Sequence, residues 1–532
     1  MSRWRSSVDS RPSTVLRATQ GLSKGRHSPP AVPAGSNLSL LALASSERFQ
    51  ALALGLSLCT IAWGALAFGA VYPWAYWPLA AGCVLCGALG LRATRAKLAD
   101  GSDRAMTIAL IGLAAAILVQ LIPLPAGALA ALSPRSAGLL RELNPAFAAG
   151  LVRWHPTSVW PADTITGLAL YASLALLLVG MTRVFSRTGA RRFVEALTGF
   201  GVILALIGII QKPLYTGSIY GLWELELGRL PFGPFVNRNH FAGWMVMALP
   251  LTLALLAGGI DRGMRGLKPG WRHKVLWFSS PEASQLVLIA AAAIVMALSL
   301  MLTMSRSGIT AFALSLVMMG WFVVRAIDSR RRRMAAGACL VLLMVVVVAW
   351  TGPEAIASRF SSGDWGEFNN RRGAWADAWS VARDFPVAGT GLNTYWAASL
   401  FYQRHDLSFF FAQAHNDYLQ LAAEGGLLLA VPALACLVLF VRDVRRQMRN
   451  GRGSSAWWLR AGAVTSLVAI ACQESVEFSL QMPGNAVLFA IVAAIALHRQ
   501  QPADDPPDGG RPARTLRLVT PWPARPRGAD TY

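Results

Sequence analysis

Residues 286–304 read LVLIAAAAIVMALSLMLTM, an uncharged and almost wholly apolar run of 19 residues. A helix built from this run is apolar on every face, and its length matches the roughly 20 residues that a helix needs to cross a bilayer core. Strands of a membrane barrel alternate apolar and polar residues, which this run does not. The stretch therefore predicts a membrane-spanning helix and indicates the class of the whole protein.

The rest of the chain repeats this pattern. Only 14% of residues are charged and 54% are hydrophobic, with a mean hydropathy of +0.45, so the charges are too few to coat a soluble body of 57.1 kDa. The predicted fold class is an all-α integral membrane protein with about 12 transmembrane helices. We expect these helices near residues 50–70, 75–91, 106–124, 164–182, 193–211, 240–258, 286–304, 308–326, 335–351, 418–441, 461–480 and 485–497.

The distribution of basic residues predicts the orientation. A cytoplasmic N-terminus puts most of the 49 Lys and Arg residues on inner segments, as the positive-inside rule requires. Both termini are then cytoplasmic, and a large periplasmic loop of about residues 352–417 connects helices 9 and 10 of a bacterial inner membrane protein. Residues 1–45 and 499–532 are rich in Arg, Ser, Pro and Gly and are expected to be disordered cytoplasmic tails around a membrane domain of 46–498.

Charge and cysteine content exclude some functions. The net charge of +22 is spread over many cytoplasmic segments that meet anionic lipid, so no nucleic-acid partner is expected. The Cys83-x-x-Cys86 pair lies in a predicted span and lacks the second half of a zinc site, which favours ordinary packing. No carboxylate or histidine cluster suggests a divalent cation, and neither a metal nor another cofactor is expected.

Polar residues that topology does not explain occur at three predicted helix starts on the outer face. VNRNHFAG (236–243) opens the sixth span, with Asn239 as the predicted cap beside Asn237, Arg238 and His240. SRSG (305–308) forms a tight turn that places Arg306 outside. AHNDYLQ (414–420) opens the tenth span, where Asp417 and Gln420 have capping-box spacing and His415 precedes the helix.

These starts share the chemistry of an anion site. Helix N-termini offer spare N–H donors and partial positive charge, and arginine binds phosphate oxygens with two donors at once. The sequence therefore predicts a phosphate-bearing ligand at the outer leaflet. Arg306 could instead extend to the interface and His415 could be a packing residue, but the coincidence of three such starts favours a binding site.

The periplasmic loop and the eleventh span add candidates. Trp375 and Trp379 have helical spacing, which predicts a helix lying on the membrane with its aromatic residues inward and Arg371 and Arg372 free to contact a headgroup. A simple membrane anchor is the alternative. Glu474 and Glu477 are carboxylates inside a predicted span, where such groups are costly and usually line a cavity.

VNRNHFAG, SRSG, GTGL (389–392) and AHNDYLQ with EGG (424–426) resemble, in order and spacing, the O-antigen ligase-like family of bacterial polysaccharide membrane enzymes over about residues 150–495. The resemblance implies metal-independent transfer of a glycan from an undecaprenyl diphosphate-linked donor to an acceptor hydroxyl at the periplasmic face. It also implies that His415 is the general base, with a pKa near neutrality, and that Arg238, Arg306, Arg371 and Arg372 bind the diphosphate. Asn237, Asn239, His240, Asn416, Asp417 and Glu424 are implied supporting residues.

The acceptor stays open between lipid A core, growing polysaccharide and protein. An O-antigen ligase is the leading interpretation, and an O-antigen or exopolysaccharide polymerase of the same family is nearly level with it. Gln473 departs from the histidine found in many exopolysaccharide-type members, which weakens the expectation for residues 472–478. A twelve-helix secondary transporter or polysaccharide exporter is the alternative of another class, although no internal repeat supports a transporter.

Overall fold

The computed structural model describes residues 35–94, 101–225, 230–265, 272, 279–352, 366–405, 407, 410–449 and 451–499. Residues 1–34 and 500–532, which make up most of the predicted tails of 1–45 and 499–532, lie outside the described residues, as does the loop segment 353–365. The chain divides into two units, residues 1–45 and 46–532. Of the first unit only residues 35–45 are described, as helix, and everything below concerns the second.

Helices build nearly all of the second unit. The longest are α1 (Gly35–Leu66), α2 (Pro73–Ala93), α3 (Gly101–Val119), α7 (Pro161–Thr188), α8 (Arg191–Leu214), α9 (Arg238–Gly263), α10 (Pro281–Leu302), α11 (Arg306–Ala326), α12 (Arg330–Thr351), α13 (Gly366–Asp384), α15 (Asp417–Arg449), α16 (Ser455–Gln473) and α17 (Pro483–Leu497). Shorter ones are α4 (Ala126–Leu132), α5 (Pro134–Leu143), α6 (Pro145–Ala148) and α14 (Tyr395–Tyr402), with 3-10 turns at Phe68–Ala70 and Ser479–Gln481.

Each predicted span overlaps one of these helices, but some ends differ. Helix α16 ends at Gln473, so the prediction that Glu474 and Glu477 lie inside the eleventh span was wrong, and both follow that helix. In the described part of the chain, nine are long and apolar enough to cross a membrane, namely Ser46–Leu66 of α1 together with α2, α7, α8, α9, α10, α11, α15 and α16. Two more, Arg104–Val119 within α3 and all of α17, are apolar but shorter. The chain is thus a multi-pass membrane protein, while the count of twelve spans and the side of each terminus stay predictions.

Two small sheets of two strands each depart from the all-α prediction. β1 (Leu124–Pro125) pairs antiparallel with β2 (Trp154–His155), and β3 (Ser218–Ile219) pairs antiparallel with β4 (Trp223–Glu224). Each strand has two residues, too few for the alternating pattern that identifies a strand in a sequence. The fold is therefore nearly, rather than entirely, helical.

Helix α9 lies at the centre of the bundle. Its apolar segment is completely buried, and it packs against α8, α10, α11 and α16. Small residues let these backbones approach closely, since a Cβ on Gly462 of α16 would lie 2.7 Å from the carbonyl oxygen of Pro250 in α9. This packing fixes the start of α9 relative to its neighbours.

A second core holds the loop that precedes α15. Helix α13 packs against α14, α5 and the first turns of α15 through a cluster of Leu139, Ala378, Val381, Phe385, Tyr395, Ala398, Tyr402, Ala414 and Ala423. The loop helices therefore pack on protein at the end of the bundle where α9, α11 and α15 begin. We call this end the site end.

Candidate active site

Two of the three predicted helix starts are capped by asparagine and serine. Asn237 Oδ1 accepts from the Asn239 N–H at 2.8 Å, so Asn237 caps α9, and the prediction that Asn239 is the cap was wrong. Ser305 Oγ accepts from the Gly308 N–H at 3.2 Å and caps α11. With Asn237 as cap, the Asn239 side chain is available to contacts beyond its own helix.

The start of α15 also differs from the predicted capping box of Asp417 and Gln420. Asn416 Oδ1 accepts from the Leu419 N–H at 3.0 Å and takes the capping role. Gln420 Oε1 instead accepts from the Ala414 N–H at 2.9 Å, which stabilises the segment before the helix. Adjacent Asn and Asp residues can both cap a helix, so sequence alone could not choose between them.

Glu477 joins the first two helix starts to the loop helix α13. Its Oε1 accepts from Asn239 Nδ2 at 2.7 Å and from Ser307 Oγ at 3.5 Å, and it lies 2.8 Å from Arg371 Nη2. The carboxylate is 1% exposed. Residues that directly follow Arg238 and Arg306 therefore share one buried oxygen, which brings the first turns of α9 and α11 together.

Arg371 and Arg372 have different environments. Arg371 is held inside, because its Nη1 donates to the Val476 carbonyl at 3.0 Å while Nη2 pairs with Glu477. The expectation that Arg371 is free to face a headgroup was wrong, whereas the side chain of Arg372 is exposed. Trp375 is half-buried and donates to the His415 carbonyl, while Trp379 is 60% exposed, so contact of Trp379 with the membrane stays a prediction.

Both remaining arginines lie at the first residue of a helix, and their side chains are half-buried. The Arg238 N–H donates to the Leu230 carbonyl at 2.8 Å, which fixes the backbone in front of α9. The turn before α11 contains Met304 at φ +55, a left-handed conformation that non-glycine residues seldom adopt. Such strain is commonly found where the backbone must present a functional side chain.

His415 lies two residues before α15 in a left-handed conformation, with φ of +50. Its carbonyl accepts from Trp375 Nε1 at 3.1 Å, and its ring meets Phe478 edge to face with centroids 4.7 Å apart. The other edge contact of Phe478 is with the buried His240 at 4.8 Å. His415 Nδ1 is buried and makes no hydrogen bond within the described residues. In the tautomer that carries its proton on Nε2, Nδ1 is therefore an acceptor available to a donor.

The environment of His415 corrects the expected pKa. Burial, followed by the positive charge of Arg371, lowers the pKa of His415 to about 3. The predicted pKa near neutrality was therefore wrong for the ligand-free site. The imidazole is neutral at physiological pH, which is the protonation state that a general base requires.

Two carboxyl groups lie behind His415. Asp417 Oδ1 accepts from Gln481 Nε2 at 2.6 Å, and the Asp417 N–H donates to the Glu474 carbonyl at 3.0 Å. Burial, together with the Asp417 and Glu477 carboxylates, raises the pKa of Glu474 well above its usual range. One of these two carboxyl groups, Asp417 or Glu474, is therefore favoured in its protonated form, because two full negative charges buried close together repel each other.

Glu424 has a positional role away from the arginines. Its Oε2 accepts from the Asn393 N–H at 2.7 Å and its Oε1 from the Tyr395 N–H at 3.0 Å, so this buried carboxylate caps α14. Gln120 Nε2 donates to the Ala388 and Glu424 carbonyls at 2.7 and 2.8 Å. These contacts fix the GTGL segment against α15, and Gln120 is a residue that sequence reasoning missed.

The structure thus brings together the two helix starts that carry Arg238 and Arg306, Arg371 of the loop helix, and a neutral histidine. Residues 291–434 match the O-antigen ligase family model. The matched segment contains SRSG, GTGL, AHNDYLQ and EGG, so the resemblance drawn from these motifs is confirmed. The family match does not extend to VNRNHFAG or to Glu477. No curated protein matches the chain. The match supports a function of the O-antigen ligase or polymerase type in general.

Proposed function

We propose that the protein transfers a glycan from an undecaprenyl diphosphate-linked donor to an acceptor hydroxyl, without a metal, at the periplasmic face of the bacterial inner membrane. The observation that carries this proposal is the convergence on Glu477 of Arg371 and of the residues that follow Arg238 and Arg306, namely Asn239 and Ser307, with the neutral His415 nearby. The family match to residues 291–434 supports the same class of reaction.

The arginines suit a diphosphate leaving group. Arg238 and Arg306 each begin a helix, where the partial positive charge of the N-terminus adds to that of the guanidinium. Arginine donates two parallel hydrogen bonds to phosphate oxygens and keeps its charge at any physiological pH. As the bond to the sugar breaks, these donors stabilise the negative charge that develops on the diphosphate.

His415 suits removal of the acceptor proton. In the proposed step the acceptor oxygen forms a bond to the anomeric carbon of the donor, and the bond from that carbon to the diphosphate oxygen breaks. The hydroxyl proton moves to the neutral imidazole, and undecaprenyl diphosphate leaves with the bonding electrons. A bound diphosphate opposes the charge of Arg371, which raises the pKa of His415 from its ligand-free value and makes it a stronger base.

Surface polysaccharide assembly of the ligase type is the proposed pathway role, and polymerase activity would use the same donor site with another acceptor. The proposed orientation puts both termini in the cytoplasm. Cysteines placed singly at the exposed positions Ala376 and Asp328, in a cysteine-free background, test it with an impermeant thiol reagent on spheroplasts. Labelling at 328 but not at 376 would reverse the orientation.

The reaction is tested with purified protein and a defined glycan-diphosphate lipid. Donor is supplied with lipid A core, with a second donor molecule, or with a peptide acceptor, in buffer containing a chelator. Transfer to one of these acceptors by wild-type protein, and its loss in His415→Ala, is the expected result. Absence of transfer together with uptake of glycan into proteoliposomes would support a transporter instead.

A further inference from the structure

The end of α8 contacts both loops that present the site arginines. Gln211 Nε2 donates to the Gly233 carbonyl at 3.0 Å, in the segment before Arg238. The next residue, Lys212, donates from Nζ to the Leu302 carbonyl at 2.7 Å, at the end of α10 and just before the strained turn at Met304. Two adjacent side chains of α8 therefore contact both the segment that precedes α9 and the segment that precedes α11.

Lys212 also brings another positive charge to this place. Its ammonium group is close enough to Arg238 for the two charges to repel each other. The side chain is exposed, and within the described part of the chain its ammonium group pairs with no carboxylate. Like charges gathered in this way oppose folding unless a ligand of opposite charge offsets them.

We propose that Lys212 is a further cation of the donor site and binds the diphosphate of the lipid-linked donor together with Arg238 and Arg306. This inference rests on the proposed function. A lysine ammonium has three N–H donors, of which the Leu302 carbonyl occupies one, so two remain for phosphate oxygens. The contact with Leu302 orients the ammonium between the two arginine loops, and its exposure leaves it open to ligand.

The alternative is that Lys212 has a purely structural role and does not contact the ligand. Lys212→Gln tests ligand binding against this structural role. Glutamine removes the charge and keeps N–H donors on a side chain one bond shorter than that of lysine, so thermal melting checks whether the contact with the Leu302 carbonyl is retained. Lys212→Arg keeps the charge and the donors. Arg141→Gln is the matched control, because it removes an exposed cation of α5, whose residue Leu139 belongs to the loop core.

The probe is geranylgeranyl diphosphate, with geranylgeraniol as the uncharged comparison. Affinity is measured by thermophoresis in detergent at low and high salt, with thermal melting as the check on folding. Lys212→Gln is expected to weaken binding of the diphosphate by about 10- to 100-fold, the range for a lost charged hydrogen bond, and to reduce its salt dependence. Lys212→Arg and Arg141→Gln should bind within a few-fold of wild type.

Wild-type affinity in Lys212→Gln, or an equal loss in Lys212→Gln and Lys212→Arg, would overturn the assignment of Lys212. If wild-type protein bound geranylgeranyl diphosphate no better than geranylgeraniol, the anion site as a whole would be refuted, Lys212 included. Diphosphate binding that depends on Lys212 in a protein without transfer activity would refute the proposed reaction and leave the role of Lys212 standing.

Discussion

Removal of the Glu477 carboxylate tests how the site is held together. Glu477 Oε1 receives Asn239 Nδ2 at 2.7 Å and lies 2.8 Å from Arg371 Nη2, and the two side chains of the ion pair are 1% and 15% exposed. Glu477→Ala leaves Arg371 with the Val476 carbonyl alone among these contacts. Breaking a buried pair from one side typically costs about 3–5 kcal/mol, and we expect a loss of this size here.

The free energy of unfolding is measured by reversible denaturation in mixed detergent and SDS, alongside donor transfer. Arg371→Met should cost a similar amount, and the double variant should cost less than the two single losses together, with a coupling of about 0.5–3 kcal/mol. Glu142→Ala is the control, because Glu142 forms an exposed pair with Arg135 at 3.9 Å and should change stability by less than about 1 kcal/mol. If Glu477→Ala behaved like Glu142→Ala, or if the two losses simply added, Glu477 would not be the residue that connects the site.

Three further predictions concern the ligand-binding and framework residues. Arg306→Lys and Arg238→Lys keep the positive charge but lose the bidentate hydrogen-bond geometry of the guanidinium. The rate of glycan transfer should fall by about tenfold or more, while the melting temperature stays nearly unchanged. Wild-type transfer rates in both variants would argue against bidentate binding. Gly389→Ala should strongly reduce the yield of folded protein, because Gly389 has φ +66 and a Cβ there would lie 2.1 Å from the Glu424 carbonyl oxygen. Gly320→Ala is the control and should be tolerated, since a Cβ at Gly320 meets nothing within 4 Å. In the donor-free protein, His415 should stay neutral at pH 5.5 by NMR of labelled histidine, since its pKa is lowered to about 3. Because the unfolded chain binds this proton near pH 6.5 and the folded chain does not, acidification below about pH 6.5 should destabilise wild type more than His415→Ala; titration of His415 near pH 6.5 would contradict its burial.

The helices were predictable because each span is an apolar run of nearly bilayer length. Runs such as 286–304 and 308–326 mark helices that the structure places at Pro281–Leu302 and Arg306–Ala326. Errors concentrated at the ends, where Asn237 caps α9 in place of Asn239. Asn237 and Asn239 are two residues apart and have the same intrinsic capping preference, and the structure distinguishes them by the contact of Asn239 with Glu477.

Long-range partners could not be predicted. Arg371 and Glu477 are far apart in the chain, so no local spacing relates them, and the expectation for Arg371 was a free side chain. Gln120 stands alone in an apolar segment, and Lys212 has only Gln211 beside it at the end of an apolar run, so neither forms a recognisable pattern. The depressed pKa of His415 arises from burial and from Arg371, neither of which can be read from the sequence around residue 415.

The central claim is that this site releases a lipid diphosphate as it transfers the glycan. The most direct measurement follows undecaprenyl diphosphate formed from a defined donor by purified wild-type protein, by His415→Ala and by an Arg238→Gln, Arg306→Gln double variant. We predict release in proportion to glycan transferred by wild type, donor binding without release by His415→Ala, and loss of both binding and release in the double variant. Release by the double variant at the wild-type rate, or glycan transfer without any release of lipid diphosphate, would contradict the claim that this site releases a lipid diphosphate.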